Sequence, residues 1–184
     1  HQVAHVGTGD GADPPGFTLE VPPPATSEAG LAALGIQRVL LTSARNRSDV
    51  KPIETELVRM SLEPGAVEAK HVLDLVRQAT LTPETHAAGF RAAELARDSL
   101  AAPALAGTLF LEVAARDTAS LYAPKALVAA MPLLPERHDS IVALLNARYA
   151  TSPYTLALYG EPSVAYAAAE DSLARELGVQ IARA

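Results

Sequence analysis

Three short polar segments contain side chains that could bind an anion. They are SARNRSD (43–49), ARDT (115–118) and GEPS (160–163), and the side chains in question are Arg45, Arg47, Arg116, Glu161 and Ser163. Guanidinium groups bind carboxylates and phosphates through paired hydrogen bonds, and a hydroxyl adds a further donor. A carboxylate beside them can act as an acid or a base. These five residues are therefore the predicted ligand-binding set.

The same segments also have a simpler interpretation as the starts of helices. Gly160 permits a turn, Pro162 suits the first helical position, and Ser163 suits an N-terminal cap. An Asn or Asp in SARNRSD can cap the element that follows, and Asp117 can do the same in ARDT. Because capping alone accounts for GEPS and SARNRSD, we prefer it there and keep anion binding as the alternative.

The sequence contains no arrangement that is typical of a catalytic or metal centre. His138, Asp139 and Ser140 are adjacent, but neighbouring residues on a helix point in different directions, and catalytic triads are assembled from separate segments. His1 and His5 have the spacing of a metal pair, but they lie in a Gly- and Pro-rich segment without preorganisation. We therefore predict no catalytic residue, no metal site and no cofactor.

Charge and composition exclude several classes of partner. The formal net charge is -6, and no Lys/Arg cluster is dense enough to neutralise phosphates, so we expect no nucleic-acid partner. The apolar runs are far shorter than the roughly 18 residues of a spanning helix, so we expect no membrane insertion. The chain has no Cys, which excludes disulfides and suits either redox compartment. A cytoplasmic location is preferred, and export after processing is the alternative.

Apolar segments that alternate with amphipathic segments predict an α/β fold. The segments interpreted as strands are 36–44, 105–115, 155–159 and 179–182, and those interpreted as helices are 65–81, 81–102, 118–131, 137–150 and 162–177. Segment 50–62 fits either, with a helix preferred in its first half. We predict a mostly parallel sheet of about four strands with helices packed on it, ending in a βαβ unit. Glu112, in the second strand, indicates an edge strand or a partly open face.

The first 30 residues differ from the rest of the chain. Residues 1–30 are rich in Gly and Pro around one apolar island, 17–21, and we interpret them as a flexible arm or linker before a single domain at 31–184. A chain that begins with His rather than Met is expected to be a processed product or a piece of a larger protein. Heavy use of Ala, Gly, Pro and Arg is what GC-rich codons supply, which indicates a high-GC bacterium.

Two functions fit these observations. The preferred one is a non-catalytic protein-interaction or assembly domain of a larger bacterial protein, which contacts a protein partner or a second copy through an apolar helix face left over from core packing. The alternative is a small enzyme or ligand-binding domain that recognises an anionic metabolite or nucleotide. In that case the carboxyl ends of parallel strands would bring the three polar segments to one edge of the sheet.

Overall fold

The regular structure of the chain is helical throughout the part that is described. The computed structural model describes residues 26–161 and 163–183, and those residues contain no strand. The predicted α/β fold with a mostly parallel sheet of about four strands is therefore wrong, and so is the C-terminal βαβ unit. Most of the predicted arm, residues 1–25, lies outside the described residues, as does Pro162.

Nine α-helices and two short 3-10 turns follow one another in the described residues. The helices are α1 (Glu28–Ser43), α2 (Arg47–Ser61), α3 (Val67–Thr80), α4 (His86–Asp98), α5 (Pro103–Arg116), α6 (Tyr122–Ala130), α7 (His138–Arg148), α8 (Pro153–Leu158) and α9 (Val164–Arg183). The 3-10 turns, Met131–Leu133 and Pro135–Arg137, join α6 to α7. Most helices that are consecutive along the chain pack side by side, most closely α4 with α5 and α5 with α6, whereas α8 packs on α6 and α9 rather than on α7. No described helix has both the length and the apolar character needed to cross a bilayer.

Helix α5 lies at the centre of this arrangement, which explains why its sequence resembles a strand. It packs on α4 and α6 and buries residues on several faces, among them Leu105, Gly107 and Phe110. A helix buried on most sides lacks the polar stripe with 3.6-residue spacing that identifies a surface helix. A short apolar run of this kind cannot be distinguished from a buried strand by periodicity alone. The predicted strand at 105–115 is therefore a core helix.

The other three predicted strands are helical for separate reasons. Segment 36–44 lies mostly in α1, whose outer face is apolar as well as its inner face. Segment 155–159 lies in and just after α8, which Ser152 caps by accepting a hydrogen bond from the backbone of Tyr154. Segment 179–182 continues α9, because Gly178 does not end that helix as a C-terminal stop would.

Small side chains and a few aromatic rings form the central core. The Phe90 ring of α4 lies 5.0 Å from that of Phe110 and 5.5 Å from that of Tyr122, between ring centroids. Fully buried alanines from the same three helices belong to the same core cluster as these rings: Ala93, Ala96, Ala106, Ala123 and Ala126. Small residues let helix axes approach closely, so three aromatic rings are sufficient to fill the space between them.

Candidate functional site

Two of the predicted ligand-binding residues meet in one cleft. Arg47 at the start of α2 and Arg116 at the end of α5 line a cleft of about 260 Å³, together with His86 and Glu112. The helices bring them together, since α5 passes the beginning of α2 and the loop before α4. A cleft with two guanidinium groups has the composition of an anion site.

The hydrogen bonds of these two arginines show that both hold the fold together. Arg47 Nε donates to the Thr80 carbonyl at 3.1 Å, and Nη1 forms an ion pair with Glu112. Arg116 donates from Nη1 to the Pro83 carbonyl and from Nη2 to the Glu84 carbonyl at 2.9 Å. Arg47 thus fastens the end of α3 to α2, and Arg116 fastens the α3–α4 loop to α5.

Glu112 changes what this cleft can bind. The sequence interpretation placed it on an edge strand or a partly open sheet face, but it lies on helix α5, where its carboxylate pairs with Arg47. An incoming anion would have to displace this carboxylate and would meet its repulsion. The arrangement is that of a structural ion pair in a cleft, and it weakens the case for an anionic ligand at Arg47 and Arg116.

The remaining predicted residues lie elsewhere. Arg45 faces a separate depression, between the α1–α2 turn, α5 and the 3-10 turns. Glu161 is exposed, whereas the Ser163 hydroxyl is buried without a hydrogen-bond partner in the described residues. Neither of these two lines the arginine cleft. The five residues of the predicted set therefore do not form one site.

Asn46 has the capping role that the simpler interpretation of SARNRSD predicts. Its side-chain oxygen accepts from the backbone of Asp49 at 3.0 Å, and the Asp49 carboxylate accepts from the backbone of Arg45 at 2.8 Å. These two bonds satisfy backbone donors at the start of α2, as a capping side chain does. For Asp117 the capping prediction is only partly right, because its carboxylate accepts from Ala119 in a turn and α6 begins later, at Tyr122.

A polar cluster that the sequence does not indicate joins three helices. Lys125 of α6 lies 2.8 Å from a carboxylate oxygen of Glu170 on α9, and Tyr154 of α8 donates to the same carboxylate at 2.7 Å. The Lys125 ammonium group also lies 5.1 Å from the centroid of the Phe90 ring, a cation–π distance. Burial raises the pKa of Tyr154, as does the bond to Glu170. This tyrosine therefore stays protonated and holds α9 in place.

Glu170 should make stability depend on pH in the acid range. Burial by itself raises its pKa, but the bonds from Lys125 and Tyr154 outweigh burial, and the pKa lies below the ordinary 4.5. Since the folded pKa is the lower one, this stabilisation is complete above about pH 4.5 and is lost as the pH falls through the folded pKa. We expect Glu170→Gln to lower the free energy of unfolding by roughly 1 kcal/mol at pH 7.

Urea unfolding at several pH values tests this expectation. The difference in the free energy of unfolding between wild type and Glu170→Gln should shrink as the pH falls below about 4. Asp171→Asn is the matched control, because Asp171 is exposed on the same helix and forms no ion pair within the described residues. A difference that persisted unchanged at low pH would contradict the assigned ionic role.

The most unusual surface of the described residues is the outer face of α1. Only Leu34, Gln37 and Leu41 of this helix are buried, and they face mainly α2. Four large apolar side chains are exposed on the rest of the helix: Leu31 (48 %), Ile36 (60 %), Val39 (66 %) and Leu40 (48 %). Ala32 and Gly35 lie among them, and a Cβ at Gly35 would meet no atom within 4 Å.

The charged residues of α1 lie around this apolar face. Glu28 is in the first turn, and Arg38 is on the flank between the exposed and the buried stripes. A contiguous apolar patch of several large side chains is uncommon on a monomer and marks a contact surface. This surface defines the described part of the chain as a helical domain with an apolar helix face that no other described element covers.

Comparison of the chain with protein-family models, with curated proteins and with solved structures finds no significant match. Within the described residues, no three metal-ligating side chains come together as a metal site would require.

Proposed function

We propose that this helical domain is a non-catalytic assembly domain, in which α1 pairs with α1 of a second copy. The observation that carries the proposal is the exposed apolar face of α1. Burial of large aliphatic side chains is the main driving force of association, at roughly 1.5–3 kcal/mol for each side chain removed fully from water. Both arginines of the cleft are already bound to carbonyl or carboxylate groups of the protein. This weakens the competing proposal that the domain binds an anionic small molecule.

A second copy is the occupant that this face fits best. A symmetric dimer needs one patch that is complementary to itself, and helical spacing supplies one here. If two α1 helices cross in opposite directions about an axis between Gly35 and Ile36, Gly35 faces Ile36 of the other copy. Ala32 then faces Val39, so that large side chains enter the space left by small ones.

Charge is also compatible with a second copy. The centre of the face has no ionisable side chain, so two copies bring no like charges together there, even though the chain has a net charge of -6. One helix face is smaller than the roughly 800 Å² that each partner contributes to a standard interface. We therefore expect a reversible dimer with a dissociation constant in the range of about 1–100 μM.

Light scattering coupled to size-exclusion chromatography of the whole chain tests this proposal. Wild type should shift from monomer to dimer as its concentration rises, and Ile36→Lys should remain a monomer, because a lysine at the centre of the face cannot be buried unpaired. Leu62→Lys is the matched control, because Leu62 is 80 % exposed and lies at the end of α2, outside the face. It should dimerise like wild type.

Gly35→Gln separates association from folding. Glutamine favours a helix over glycine by roughly 0.5–1 kcal/mol, and space is open at Gly35, so the monomer should become more stable. The longer side chain also fills the space that Ile36 of the second copy needs, so dimerisation should be lost. A wild type that stays monomeric at high concentration, or a dimer that both substitutions leave intact, contradicts the proposal.

A further inference from the structure

A groove runs along α5 beside α7, apart from the α1 face. Two depressions of about 240 Å³ and 440 Å³ meet there, and Leu111 and Arg137 line both. One stripe of α5 with helical spacing lines the groove: Ala104, Thr108, Leu111 and Ala115. This stripe extends over about 16 Å, or three helical turns.

The packing of α7 explains why the groove is open. Helix α7 contacts α6 and the two 3-10 turns, and it buries only Ile141 and Leu145. The exposed Leu144 of the same helix faces the groove. The groove therefore has an apolar side chain on α7 as well as an apolar stripe on α5, and no described element covers it.

Three arginines are distributed along the rim of the groove. Arg45 lies at one end, Arg137 in the middle and Arg148 at the other end. Among the described residues none of the three guanidinium groups has an acidic partner, in contrast to Arg47. Glu136 is the one acidic side chain that lines the described groove. The groove is thus locally basic on a chain with a net charge of -6.

We infer that this groove binds an amphipathic helix with acidic flanks, supplied by a partner protein. A helix laid along α5 would place its apolar face against Leu111 and Leu144, as in other helix-in-groove complexes. The small residues Ala104 and Ala115 allow its backbone to come close. Carboxylates on its flanks would then meet guanidinium groups along the rim, and such charge-assisted hydrogen bonds favour an acidic partner over a basic one.

A labelled peptide tests this inference on the whole chain. The probe is a fluorescein-labelled helix of about 14 residues with a Leu/Ala stripe and Glu on both flanks, and binding is measured by fluorescence anisotropy. We expect a dissociation constant of tens of micromolar, and a loss of about tenfold in the double variant Arg137→Ala/Arg148→Ala. Arg175→Ala, an exposed arginine of α9 outside the groove, is the matched control and should bind like wild type.

Further arms of the experiment separate the contributions. A peptide with Lys in place of Glu should bind at least tenfold more weakly. Added salt should weaken the binding of the acidic peptide. Leu111→Glu should abolish binding while circular dichroism remains unchanged. If Leu111→Glu fails to fold, the double arginine variant still decides, because both arginines are exposed and unpaired.

Three outcomes would overturn the inference. They are equal binding of the acidic and the basic peptide, affinity that the double arginine variant does not change, and loss of the dimer in Leu111→Glu, which would assign the groove to a second copy. The Ile36→Lys variant should bind the peptide as wild type does. A failure of the proposed peptide binding in the groove can therefore be distinguished from a failure of the proposed dimerisation through α1.

Discussion

Phe110→Ala is expected to lower the free energy of unfolding by about 3–5 kcal/mol. Phe110 is fully buried in α5, in contact with Phe90. The loss combines the transfer free energy of the ring with the cavity that its removal leaves among small alanine side chains, which cannot move in to fill it. The Arg97 guanidinium group also lies 5.7 Å from the centroid of this ring, so its cation–π contact is lost as well.

Guanidinium unfolding followed by circular dichroism measures this effect. The free energy of unfolding of a domain of this size is about 5–15 kcal/mol, so the variant should unfold at a much lower denaturant concentration. Phe110→Leu keeps most of the side-chain volume, so its free energy of unfolding should fall considerably less. This variant keeps the test valid if the alanine variant does not fold. Leu62→Ala, at an exposed position, should change stability by no more than about 0.5 kcal/mol. A loss below about 1 kcal/mol for Phe110→Ala would show that α5 is not the core helix.

The surface helices could be predicted from the sequence because one side of each remains polar. The predicted helix 65–81 is α3, and four of its apolar residues with helical spacing, Ala69, Val72, Leu73 and Val76, are buried. Segment 50–62 lies largely in α2, with Ile53 and Leu57 buried as a helix requires. In such elements the contrast between polar and apolar faces fixes the 3.6-residue period.

The fold class could not be predicted because the two decisive segments have no such contrast. Helix α5 is apolar where α4 and α6 cover it and also along most of the stripe that faces the open groove beside α7, and α1 is apolar on its exposed face as well as on its buried face. Both therefore gave the continuous apolar run of a buried strand. The helix ends were displaced for a local reason: α4 begins later than the helix predicted from residue 81, because Thr85 caps it. Pro103, which directly follows that predicted helix, begins α5.

The candidate site was predictable in its residue types but not in its geometry. Arg47 and Arg116 do come together, although through helices rather than through neighbouring strands. Whether a guanidinium group is available depends on which carbonyl or carboxylate it already binds, and this is set by contacts between residues far apart in sequence. The exposed face of α1 depends in the same way on which of two apolar faces the rest of the chain covers.

Two glycines inside helices should respond to alanine with opposite signs. Alanine favours a helix over glycine by roughly 0.5–1 kcal/mol, so open space should decide the result. At Gly35 no atom lies within 4 Å of an added Cβ, and Gly35→Ala should stabilise the monomer by about that amount. At Gly107 an added Cβ would lie 2.5 Å from Leu134 Cγ and 3.0 Å from both Leu134 methyl groups.

Gly107→Ala is therefore expected to destabilise the fold by a net 1–2 kcal/mol, since overpacking costs about 1–3 kcal/mol and exceeds the gain in helix propensity. Leu134 is buried on the segment between the two 3-10 turns and cannot swing into solvent, so the clash must displace α5 or that segment. In a Leu134→Ala background the space is open, and Gly107→Ala should become neutral or stabilising, with a coupling free energy of about 1–3 kcal/mol in the double-mutant cycle. Urea unfolding gives the free energy of unfolding of the four proteins in this cycle. The protein concentration is kept below the range in which the chain self-associates. The close contact between α5 and Leu134 also positions Arg137 in the groove. If Gly107→Ala stabilised the protein as Gly35→Ala is expected to do, this contact would not exist as described.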